Sequence, residues 1–155
     1  MKIFFLKQRL ATLLFIGCVV YGSSCVAHSV GSLLDAAGTN ASATDLYQIT
    51  CYDDGGGNPD YLFMQIQDAS TPAPGLIMSV QAYFDTTKIM TNNTDPVSGD
   101  ANASTGAQLW GGRGIYYLSV SKTAAGARLY NVTIHCWSVS GGSHTGTDVN
   151  TLQLQ

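Results

Sequence analysis

From residue 45 onward the chain is a succession of short runs in which apolar and polar residues alternate, each run closed by Gly, Pro, Asn or Asp. In "DLYQITCY", Tyr47, Ile49 and Cys51 share one side. In "YLFMQIQ", Leu62, Met64 and Ile66 do, with Gln65 and Gln67 opposite. "GIYYLSVS" puts Tyr116, Leu118 and Val120 together, and "LYNVTIHCW" does the same for Tyr130, Val132, Ile134 and Cys136. "LIMSVQAYF", "TKIMT", "AQLW" and "VNTLQLQ" complete the set. A period of two is the mark of a half-buried strand, and regularly spaced turn signals are the mark of a sandwich. The expected fold is all-β: one jelly-roll-like antiparallel β-sandwich of about seven or eight strands spanning 45–155.

The first 27 residues read as a secretory signal. "MKIFFLKQR" supplies Lys2, Lys7 and Arg9, "LATLLFIGCVVYG" an apolar run, and "SSCVA" small residues before a cut after Ala27. The alternatives are a membrane anchor, for which about 18 apolar residues are needed, and a lipoprotein cut before Cys25, where Gly22 stands in place of the usual Leu. Residues 28–44, small and polar with one apolar patch at Leu33–Leu34, read as a leader or linker. No membrane span remains after cleavage, and the protein is placed outside the cytoplasm: secreted, periplasmic or at the cell surface.

Without the signal, four basic residues face ten acidic ones, and all ten acids are Asp. Such a balance excludes nucleic acid as a partner, because phosphates need a cluster of cations. Asp without Glu points to turns and to hard oxygen ligands. Cys18 and Cys25 lie in the signal. Cys51 and Cys136 then form an even pair in an exported chain, each on the inward side of its strand, and are expected to be disulfide-bonded.

Two kinds of metal site suggest themselves. "CYDDGGGNPDY" places Asp53, Asp54, Asn58 and Asp60 in one Gly-rich stretch. "NNTDPVSGD" adds Asp95 and Asp100, which would join them if both loops gathered at one end of the sandwich. Six to eight oxygens suit calcium, and a decorated turn is the alternative. Separately, a cut after Ala27 makes His28 the first residue. A free amine with its imidazole chelates copper when a second histidine, His144, stands nearby. His135 alternates outward beside Trp137 and reads as a surface residue. There is no G-x-S-x-G and no H-E-x-x-H, so no enzyme is expected. Sequons occur at Asn40, Asn92, Asn102 and Asn131.

"ATDLYQITCY" resembles the opening strand of bacterial pre-peptidase C-terminal domains, and "GGRGIYYLSVSKTAAGARLYNVTIHC" is similar to their closing hairpin. The resemblance covers about 43–137. It implies a secreted jelly-roll-like sandwich, often calcium-associated, that serves as an accessory or binding module; here it stands alone behind a signal. The expected function is a non-catalytic, calcium-binding β-sandwich of the envelope or extracellular space. It would self-associate through the Leu33–Leu34 leader or the terminal strand, unless that strand pairs within its own domain. The alternatives are a periplasmic copper-binding protein and a polysaccharide-binding module with Trp110, Trp137, Tyr116 or Tyr117 as stacking platforms. At most one of the two adjacent tyrosines faces out.

Overall fold

The computed structural model describes residues 28–140 and 142–155; the expected signal peptide lies outside them. Nine antiparallel strands make up the described fold: β1 (His28–Leu34), β2 (Asp45–Tyr52), β3 (Tyr61–Asp68), β4 (Met78–Phe84), β5 (Ile89–Thr94), β6 (Ala107–Leu109), β7 (Gly114–Lys122), β8 (Arg128–Ser138) and β9 (Ser143–Gln153). No helix is present among the described residues. One layer runs β6-β3-β8, with β1 and the start of β9 sharing the outer edge of β8. The other runs β5-β4-β7-β2 and ends on the second half of β9. β9 therefore passes from one layer to the other and closes that side of the sandwich. It turns at Gly146, where a Cβ would come within 2.5 Å of the Tyr52 ring.

The alternation read from the sequence is the alternation of burial. Tyr47, Ile49, Cys51, Leu62, Met64, Ile66, Val80, Leu118, Val132 and Ile134 meet in one core between the layers. Cys51 on β2 and Cys136 on β8 bridge the two layers, with Cα atoms 5.5 Å apart. The residues taken for a linker contribute a strand. In β1, Val30 packs against the core and Leu34 is fully buried, while Ser29, Gly31 and Leu33 face out. The pattern was obscured because small polar residues fill the alternate positions. The terminal strand likewise begins at Ser143 rather than Val149, because Thr145 and Thr147 occupy inward positions that an apolar pattern does not reveal. Both segments considered for self-association are thus paired within the chain, β1 to β8, and the terminal strand, as its alternative reading had it, within its own domain through β9 to β2 and β8.

The end of the sandwich that carries Asp45, Asp68 and Arg128 is held by buried polar networks. Lys122 donates to Asp35 (2.7 Å) and to the carbonyls of Asn40 and Ala124. Tyr130 donates to Asp45 (2.6 Å) and shares a 2.5 Å contact with the Tyr47 hydroxyl. Burial, reinforced by these partners, pushes the Tyr130 phenol far above its usual range. The Lys122 ammonium, together with backbone N–H groups of Gly126, Asn40 and Thr39, holds the Asp35 carboxyl well below the usual carboxylate range. A depressed carboxylate stabilises the fold above its unfolded pKa, and that contribution is lost as pH falls through the native value. Stability is therefore expected to decline as pH drops below about 4. Asp35→Asn should lower the urea midpoint near neutral pH while shrinking the difference between about pH 7 and about pH 3. Equal acid sensitivity in both proteins would show that Asp35 is not the group responsible.

Candidate functional site

The two acidic loops sit at opposite ends of the sandwich, so the expectation that they meet is not borne out. Residues 53–60 join the end of β2 to the start of β3, whereas Asp95 follows β5 and accepts a hydrogen bond from the Asp68 N–H at the far end of β3 (2.7 Å). The eight residues of β3 between them span about 23 Å. Topology decides this: β5 pairs with β4 in the register Ser79↔Thr94, which carries its end away from Cys51.

Each carboxylate is engaged locally. Asp53 accepts the Gly55 and Gly57 N–H groups, and Asp54 accepts Gly56. Asp60 accepts Val139 at 2.7 Å. Asp95 also accepts Val97, and Asp100 is held by the Asn102 amide, which draws its pKa down. Asn58 stands in the same loop as Asp53 and Asp60, not near Asp95 or Asp100. The Asp side chains of this stretch shape its turns, as short polar side chains do.

The glycines of the same stretch have a second task. Gly56 runs so close to β9 that a Cβ would lie 2.7 Å from the carbonyl oxygen of His144. The loop thus packs on the strand that carries this histidine, and Asp54 lies close enough to oppose the lowering of the His144 pKa.

All three histidines of the chain gather at this end of the fold. His28 opens β1, His135 lies on β8 and His144 on β9. The His28 and His144 rings are stacked with centroids 5.8 Å apart, and His144 meets His135 edge-on at 4.8 Å. The arrangement follows from the shared edge of β8. β1 pairs with it as far as Ile134, opposite His28, and β9 takes over at Cys136, so the two strands meet end to end beside His135.

Nδ1 of His28, Nδ1 of His135 and Nε2 of His144 are buried without a hydrogen-bond partner. Unpaired buried nitrogens cost free energy and call for an explanation. Burial lowers the pKa of His135, helped by the neighbouring His144 and His28, and burial with His28 lowers that of His144. Both rings are therefore biased toward the neutral form that binds metals. A cleft of about 200 Å³ opens beside the cluster, lined by His28, Tyr52, Asp54, His144 and Asp148. The rings lie stacked and edge-on, and among the described residues no group of three or more His, Cys, Asp or Glu side chains is arranged so that it could hold a metal ion.

The sequence paired His28 with His144 but set His135 aside as a surface residue. The available signal was its place next to Cys136: the disulfide brings β8 to the strand crossing where β9 begins. Of the aromatic platforms, Tyr116 is buried, its hydroxyl donating to the Gly112 carbonyl at 2.6 Å, and burial pushes its pKa up to about 12. Trp110 is 58% exposed.

No family model matches this chain, and a search of curated proteins finds no match either.

Proposed function

We propose that this chain is an exported, non-catalytic β-sandwich that binds copper at the junction of β1, β8 and β9. The observation that carries the reading is the convergence of His28, His135 and His144 with a buried, unpartnered nitrogen on each. Divalent copper stands at the top of the affinity order for nitrogen ligands. Cys51 and Cys136 are consumed in the disulfide, leaving imidazole as the donor of this site. With cleavage after Ala27, the His28 amine adds a further nitrogen. The disulfide is compatible with an oxidising compartment, and no helix of the described residues is long and apolar enough to cross a membrane.

Copper(II) titration followed by calorimetry and electron paramagnetic resonance tests this with three proteins: one beginning at His28, one with an extra residue before it, and His144→Ala. The first is expected to bind one equivalent with a nitrogen-rich spectrum, and copper at about 100 times Kd should raise stability by about 2.7 kcal/mol. The extension should weaken binding about tenfold or more, and His144→Ala about a hundredfold. Equal affinity in all three proteins would overturn the reading.

A further inference from the structure

The outer face of the β6-β3-β8 layer carries a strip of aromatic and amide side chains. Across the strands, Gln108 stands opposite Phe63 and Phe63 opposite His135 in one row, with Tyr61 opposite Trp137 and Trp137 opposite His144 in the next. Trp110, just past β6, extends the second row: its ring lies 4.6 Å from that of Tyr61, tilted by 43°. Phe63 and His135 are 6.2 Å apart at 33°. Tyr61, Phe63, Gln108, His135 and Trp137 line a shallow groove of about 280 Å³ on this face.

None of the side chains that line the groove is a carboxylate, a lysine or an arginine. An uncharged face offers no electrostatic gain to an acidic glycan or a charged peptide. It favours a partner that is itself uncharged, with flat C–H faces to lie on aromatic rings and hydroxyls to meet an amide. Three neighbouring strands span about 10 Å, the length of a disaccharide. Trp110 is half exposed yet held against Tyr61, so it offers a large rigid contact area at little entropic cost.

We infer that this face, from Trp110 across Tyr61 and Phe63 to Trp137, docks a neutral polysaccharide chain. The strip ends at His144, so a bound glycan lies against the histidine cluster. The inference concerns the metal-free face, because His135 belongs both to the groove and to the histidine cluster.

Pull-down on microcrystalline cellulose, chitin and granular starch, and affinity electrophoresis in mixed-linkage β-glucan, test it on the disulfide-bonded chain from His28. Polygalacturonate serves as the charged control, and each assay is run metal-free and copper-loaded. At least one neutral glycan is expected to retain the protein, and polygalacturonate is not. Trp110→Ala, at an exposed position that leaves the core intact, should weaken retention about tenfold or more, with Trp110→Phe recovering much of it. Retention of the metal-free protein is the deciding readout, so a failure of copper binding leaves this test intact. Failure to bind any of the four neutral glycans would overturn the inference, as would binding unaffected by Trp110→Ala. A concentration-dependent dimer that Trp110→Ala dissociates would assign the face to a second copy of the chain instead.

Discussion

Replacing Arg128 with methionine is expected to destabilise the protein by about 3–5 kcal/mol, the usual cost of removing one partner from a buried ion pair. Arg128 is almost fully buried at the end of the sandwich opposite the histidines. Its Nε and Nη2 both donate to Asp68 Oδ2, Nη1 donates to the Thr71 carbonyl at 2.9 Å, and Nη2 also donates to Ser98. Asp68 in turn accepts from Ser98, while its backbone N–H is held by Asp95. Asp68 is thus the carboxylate that this guanidinium neutralises, and methionine would leave it buried without a countercharge. Lysine would restore charge but not the fork that reaches Asp68, Thr71 and Ser98 together. Denaturant melts should show a lower midpoint at unchanged slope. Arg128→Met/Asp68→Asn should recover part of the loss, because the stranded charge is then gone. A single substitution costing under about 1 kcal/mol would mean that water enters this end and solvates the Asp68 carboxylate.

The fold was legible in the sequence because burial sorts residues strictly by parity, and parity survives in runs such as Tyr47–Ile49–Cys51 and Val132–Ile134–Cys136. It failed where inward positions are not apolar. Thr145 and Thr147 hid the first half of β9, and the small residues of 28–32 hid β1. The candidate site was half legible for a related reason. His28 and His144 were singled out by chemistry, as a new amino terminus and a spare imidazole. Their proximity depends on β1 and β9 sharing one edge of β8, and neither strand had been recognised at that end. The acidic loops show the reverse failure. Asp53 and Asp95 belong to similar-looking Gly- and Asp-rich stretches, but which end of a sandwich a loop occupies is set by the count of strands between them. The three strands between them, β3, β4 and β5, are an odd number, which puts the two loops at opposite ends, and all three were already visible as runs in the sequence. The Gly-rich stretch kept a role all the same: Gly56 lets the loop approach the His144 carbonyl, so the turn helps to seat the histidine strand.

Loss of the Cys51–Cys136 bridge is expected to cost about 4–5 kcal/mol, and to cost it unevenly. A bridge across 85 residues removes much of the unfolded chain's freedom, which the chain-entropy model places at that magnitude. The bond joins β2 to β8 where β9 changes layers. Thr147 stands opposite Cys51, Thr145 opposite Cys136, and the Cys136 N–H donates to Thr147 Oγ1 at 3.0 Å. The crossing that positions His144 therefore runs alongside the disulfide, paired with both half-cystines. At the other end, Lys122–Asp35, Arg128–Asp68 and Tyr130–Asp45 act without help from the bridge. Cys51→Ala/Cys136→Ala should consequently lower the denaturant midpoint, and amide exchange should speed up first around 51–54, 135–138 and 143–147. The strand ends near Asp45, Asp68 and Lys122 should keep protection close to the global limit of the weakened fold. Copper affinity should fall in the same variant, since His135 and His144 lose the constraint that holds their strands together. Uniformly faster exchange along every strand, with copper affinity unchanged, would show that the bridge acts on the unfolded chain alone and does not organise the histidine cluster.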